Sequence, residues 1–154
     1  MTFQASREIT APQSSVFAAF EDSTRLAVWW GPAGFTNTFK TYEFKPGGKW
    51  SFMMHGPDGK NYPNEIVIAE IEPPKRILIH HVSQPRYLLT VTLEPTADGG
   101  TLVGWNQDFE KPDVGRRMER ILVPANEQLL DRLSAEVLRK HGGGSQGAPA
   151  AILT

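Results

Sequence analysis

The side chains that could do chemistry are few: Glu65, His81 and Tyr62. Glu65 shares strand parity with Val67, Ala69 and Ile71. If the strand includes it, its carboxyl faces an apolar interior, its pKa rises, and it serves as a general acid or holds a polar group of a ligand. If the strand begins after it, the carboxyl stands in water. His80 and His81 are neighbours, so one faces each side of a strand. Parity with Ile77 and Ile79 turns His81 inward, where a histidine is either a hydrogen-bonded core residue or a proton carrier. Tyr62 adds a hydroxyl, and these three are the only catalytic set the sequence offers.

Other chemistries find no support. The chain has no cysteine, which removes thiolate catalysis, disulfides and cysteine zinc sites. His55 and His141 lie far from the pair at 80 and 81, so no metal site and no cofactor is expected. Gly47-Gly48 and Gly99-Gly100 precede strands rather than helices, so they are turn glycines and not phosphate cradles. Arg86 follows Pro85 in a turn and reads as solvated. Asn106 and Asp108 have the parity opposite to Trp105, which places them on an outer face.

A larger set of residues suits binding instead of catalysis. Trp50, Phe52 and Met54 share one strand face, as do Tyr87, Leu89, Val91 and Leu93, and Val103, Trp105 and Gln107. All three sets are assigned to a concave face. Met118, Leu122, Ala125, Leu129 and Leu133 recur at helical spacing and would oppose them. Most of these residues are core. A subset at the wide end should line a pocket, with Trp50, Met54 and Trp105 the first choices. Residues 27–35, AVWWGPAGF, put Trp29 and Trp30 beside a Gly-Pro break. On a short helix adjacent residues cannot both face the core, so one is expected buried and the other at a cavity mouth or the surface.

These residues need elements to position them. The chain has 154 residues, 40% hydrophobic and 21% charged, a globular composition of one domain's size. The net charge of −1 gives no basic face for nucleic acid. No apolar run suits a membrane span, and MTFQASREIT lacks the apolar core of a secretory signal, so a cytoplasmic location is expected. The spacing predicts a strand over Thr2–Thr10, a helix from Pro12 to about Asp22, and a short helix Arg25–Trp30 capped by Thr24. Strands follow at Thr38–Phe44, Lys49–His55, Tyr62–Glu72, Arg76–Val82, Tyr87–Glu94 and Thr101–Phe109, each ended by a Pro, Gly or Asp-Gly turn. One amphipathic helix runs from Asp113 to Lys140, with Pro124 expected to kink or divide it. The remainder, 142–154, has linker composition and reads as a flexible tail behind a single domain at 1–141. The fold class is α+β: a seven-stranded curved antiparallel sheet around a long C-terminal helix, with two short helices between its first two strands.

Five segments in this order, APQSSVFAAFED, WWGP, FKPGGKWSFMMHGPDGK, IEPPKRI and DGGTLVGW, resemble the SRPBCC superfamily with its START-like (Bet v 1-like) helix-grip fold. More narrowly, they are similar to the family related to the C-terminal domain of the activator of Hsp90 ATPase. The resemblance covers about residues 5–140 and implies a deep, mostly apolar cavity between sheet and long helix. Two departures touch that cavity: Asn64-Glu65-Ile66 stands where relatives often have a glycine, and Pro124 interrupts the helix.

The expectation is therefore a protein that binds a small hydrophobic molecule, such as a lipid or polyketide, with no nucleic-acid or membrane partner. Its ligand residues are expected among Trp29, Trp30, Trp50, Phe52, Met54, Glu65, His81, Tyr87, Trp105, Met118, Leu122 and Leu129. A cyclase-, aromatase- or hydrolase-like enzyme using Glu65, His81 and Tyr62 is the alternative. A co-chaperone-like adaptor or stress-response protein is a third reading, and a homodimer is left open.

Overall fold

In the computed structural model, residues 1–146 are described, with side chains through Arg139. The elements are β1 (Thr2–Ile9), α1 (Gln13–Glu21), α2 (Ser23–Trp29), β2 (Thr36–Tyr42), β3 (Lys49–His55), β4 (Asn61–Glu72), β5 (Arg76–His81), β6 (Tyr87–Pro95), β7 (Thr101–Phe109) and α3 (Pro112–Gln146). The seven strands form one antiparallel sheet in the order β1-β7-β6-β5-β4-β3-β2. Strands β2 to β7 make a meander because each connection is a short turn, and β1 closes the series beside β7. The helices cover one face, giving the helix-grip arrangement.

Local chemistry explains the helix borders. Pro12 sits just before α1 in extended conformation. Asp22 ends α1 and caps α2, its carboxylate accepting from the Thr24 backbone N–H at 2.9 Å and from the Thr24 hydroxyl at 2.6 Å. The cap is thus Asp22 and not Thr24, because a carboxylate two residues earlier reaches the free N–H groups of the first turn.

α3 is a single helix despite Pro124. Pro124 and Arg120, whose carbonyl loses its partner to the proline, both lie on the exposed side. Water can take that bond, so the helix is not divided there. The helix also runs past the expected boundary at 141 to Gln146. Residues 147–154, the rest of the expected tail, lie outside the described residues.

Parity along β4 is not constant. Ile66 and Ile68 face inward and are fully buried, yet Ile71 also packs against the core. A bulge between Ile68 and Glu70 inserts one extra residue and reverses the alternation. Counting back from Ile71 therefore assigns the wrong face to Glu65.

The interior has two halves. In one, Leu130, Leu133 and Val137 of α3 pack against Ile77, Ile79, Val91 and Val103 of the sheet, all fully buried. Val16, Phe20, Leu26 and Trp29 from the short helices complete it. In the other half, a cavity lies between the sheet and the turns of α3 from Met118 to Leu129. Among the described residues no helix is long and apolar enough to cross a membrane.

Candidate ligand cavity

The gap under the first half of α3 is a cavity of about 200 Å³. Its floor is the inner face of the sheet: Met54 of β3, Asn64 of β4, His81 of β5, Tyr87 and Leu89 of β6, and Trp105, Gln107 and Phe109 of β7. Its roof is Met118, Leu122, Ala125, Asn126 and Leu129 of α3, and Trp30, Gly31 and Pro32 close one end. A second concavity, about 310 Å³, lies around Gly104 on the outside of the sheet, among Gln4, Ser6, Thr90, Thr92 and Asn106. It is bounded on one side only, by the strands themselves. The inner cavity is the better site because it is walled by sheet, helix and loop and is mainly apolar.

The tryptophan pair explains the closed end. Trp29 is the last residue of α2, fully buried, and its indole N–H donates to the Ala19 carbonyl at 3.0 Å. Trp30 is only 4% exposed. Of the two places expected for the second tryptophan, cavity mouth or surface, Trp30 takes the cavity, yet both rings reach the interior, which a helix alone was expected to forbid. Trp30 is the C-cap, with an extended backbone at φ −69° and ψ 125°, so it escapes the helical geometry that would set it beside Trp29. Its ring centroid lies 5.6 Å from Trp50 and 5.9 Å from Trp105. Gly31 follows at φ 97°, a conformation natural only to glycine, and a Cβ there would lie 2.6 Å from the Met54 Cε.

Arg132 of α3 ties this loop down. Its guanidinium donates to the carbonyls of Gly31 at 2.8 Å, Pro32 at 2.7 Å and Phe35 at 2.8 Å, and also to Val28 and Trp30. The fork of donors on arginine satisfies carbonyls that a tight turn leaves without partners.

The polar groups of the cavity are uncharged amides, a phenol and an imidazole. His81 is buried, with Nδ1 2.7 Å from the Pro85 carbonyl and Nε2 2.6 Å from Asn64 Oδ1. Its ring lies flat on Tyr87, centroids 4.5 Å apart. Burial pushes the His81 pKa below its ordinary value, opposed by the hydrogen bonds to the Pro85 and Ser83 backbone. Asn126 donates to Gln107 Oε1 at 3.1 Å, and both are buried. Gln107 in turn meets the Tyr87 hydroxyl, whose pKa burial pushes up.

The structure brings together Trp30, Met54, His81, Tyr87, Trp105, Met118, Leu122 and Leu129 from the expected set. Trp29, Trp50 and Phe52 are not cavity residues. They face inward as expected but are consumed by packing: Trp50 stacks on Tyr42 at 5.0 Å and Phe52 on Phe39 at 4.7 Å. Glu65 is on the outer face, 39% exposed at its side chain, accepting from the Ser51 hydroxyl at 2.6 Å and paired with Lys49 at 3.4 Å. The Ser51 hydrogen bond, ahead of the lysine, holds its carboxyl below the usual range, the reverse of the rise expected for an inward glutamate. Tyr62 is exposed, its ring near Phe35 and its hydroxyl donating to Asp58 at 3.0 Å. Glu65, His81 and Tyr62 therefore form no catalytic group. Asn64 and Asn126 were not legible as site residues. Asn126 sits between Leu122 and Leu129 on the apolar stripe, and Asn64 is two residues before inward Ile66; a polar residue on a buried stripe was the available signal.

Comparison with known proteins gives the family and the fold. The family model described as Activator of Hsp90 ATPase homolog 1-like protein matches residues 10–137. A protein from Arthrobacter aurescens is 26% identical, with a TM-score of 0.80, over 97% of this chain and 88% of that one. A Nitrosomonas europaea protein, 19% identical, superposes at a TM-score of 0.82 over 93% of this chain and 97% of its own. An AHSA1 protein from Silicibacter pomeroyi, 20% identical, gives 0.72 over 92% and 100%. The last two likenesses concern the fold alone. No curated protein matches the chain.

Proposed function

This chain belongs to the Activator of Hsp90 ATPase homolog 1-like family, and from that premise we propose that it binds a small hydrophobic molecule between the sheet and α3. One observation carries the reading. Leu130, Leu133 and Val137 of α3 are packed solidly, whereas Met118, Leu122, Ala125 and Leu129 of the same helix line a cavity over the sheet, with Asn126 hydrogen-bonded across it to Gln107. The cavity, about 200 Å³, is mainly apolar and partly open, so water inside it gains few partners and an apolar occupant displaces that water favourably. A fold keeps such a void more readily when a ligand fills it.

Native mass spectrometry of freshly purified protein, set against the denatured mass, tests the proposal. A defined extra mass lost on denaturation is expected. Bare protein that also fails to respond to any small apolar probe would overturn it. The residues of the enzyme alternative do not come together: His81 lines the cavity, while Glu65 and Tyr62 lie outside it.

A further inference from the structure

The cavity wall carries information about the chemistry of its occupant. Size comes first. An apolar cavity of about 150 Å³ admits benzene, and this one is about 200 Å³. The space suits one ring with a short substituent, not a long acyl chain or a fused polycycle. Charge comes second. Among the described residues no Asp, Glu, Lys or Arg lines the cavity. His81 is the one nitrogen base there, and both its ring nitrogens are already engaged, by Pro85 and by Asn64. An ionised ligand would be buried without a counter-charge, at a large cost.

Hydrogen bonding comes third. Gln107 Oε1 accepts from Asn126 at 3.1 Å, and the Gln107 side chain lies beside the Tyr87 hydroxyl. Gln107 is the one side chain beside the Tyr87 hydroxyl among the described residues, and no backbone carbonyl or carboxylate of theirs takes its proton. Asn126, Gln107 and Tyr87 thus form a polar row on the cavity wall that ends in a hydroxyl able to donate to an occupant's oxygen. Trp30, Trp105, Met54 and Met118 supply flat and adaptable apolar surface for the ring.

We propose that the ligand is an uncharged, single-ring-sized molecule carrying a ketone, ester or alcohol oxygen that accepts a hydrogen bond from Tyr87. The proposal rests on the reading that this cavity binds a small hydrophobic molecule and specifies its class.

Three probes of similar size separate the two claims: acetophenone, ethylbenzene and benzoate. Binding is measured by amide chemical-shift titration, which reports on occupied residues. Acetophenone is expected to bind about fivefold tighter than ethylbenzene, the gain of one neutral hydrogen bond, and benzoate is expected not to bind. In Tyr87→Phe the advantage of acetophenone over ethylbenzene should vanish while ethylbenzene binding is kept, which also reports that the variant is folded. Equal affinity for acetophenone and ethylbenzene in the unaltered protein, or binding of benzoate at the cavity, overturns the proposed class and leaves the cavity reading standing. Failure of all three probes to shift any cavity residue overturns both.

Discussion

His81 Nε2 lies 2.6 Å from Asn64 Oδ1 while its Nδ1 lies 2.7 Å from the Pro85 carbonyl, so the ring meets an acceptor at each nitrogen. Asn64 Nδ2 donates to the Tyr62 carbonyl at 3.0 Å, which holds its oxygen toward the ring. This geometry suits an imidazolium, which donates twice, yet burial favours the neutral ring, and the net direction is a lowered pKa. A neutral ring keeps its proton on Nδ1 and requires Asn64 to turn its amide toward Nε2. The cavity wall therefore holds two opposing preferences at one pair of residues.

A pH dependence follows. A histidine whose folded pKa is below its unfolded value of about 6.5 takes up its proton in the unfolded chain first. Its stabilising contribution is full above the unfolded pKa and is lost as pH falls through the folded one. Urea denaturation at pH 7.5 and at pH 5 should show lower stability at pH 5. In His81→Gln that part of the difference should disappear.

Arg132 should be worth more than an ordinary surface arginine, since its guanidinium serves the carbonyls of the 28–35 turn. Arg132→Ala is expected to cost about 2–3 kcal/mol, the scale for losing hydrogen bonds to a charged donor. The loss should be visible as a red-shifted tryptophan emission, because Trp30 sits in that turn. An unchanged midpoint in urea would contradict the clamp.

Glu136 is buried, its side chain 2% exposed, between Arg25 at 2.8 Å and Arg139 at 2.9 Å. Glu136→Ala leaves the Arg25 guanidinium, itself mostly buried, without its anion. The expected loss is about 3 kcal/mol, measured by thermal or urea unfolding. The double variant Arg25→Met with Glu136→Leu removes both charges and should recover part of that loss.

Glu65 provides a control of the opposite kind. Its carboxylate faces Ser51 and Lys49 on the outer side of the sheet. Glu65→Gln should leave the affinity of any cavity ligand unchanged within error, and stability should fall by no more than about 1 kcal/mol, as for an exposed ion pair. A several-fold change in ligand affinity would place this residue in the site after all.

Much of the architecture was legible from local patterns. Strand borders at Lys49, His55, Thr101 and Phe109 agree with the turn signals around them. The stripe from Met118 to Leu133 forecast which side of α3 meets the sheet, because 3.6-residue periodicity is a property of the sequence alone. His81 was placed inward correctly, since β5 is regular throughout and alternation holds along it.

Tertiary structure decided the rest. The bulge at Ile68/Glu70 reversed parity in β4 and sent Glu65 outward and Asn64 inward. A bulge is fixed by pairing with β5, which β4 by itself does not encode. Trp30 turned inward because α2 ends one residue before it, at a loop that Arg132 holds from about a hundred residues away. Trp50 left the site for the core because Trp30 and Tyr42 close over it. Composition and periodicity say which side chains leave water. Which of them meet a partner and which meet an open cavity depends on distances between elements, and those exist only once sheet, turn and helix have packed together.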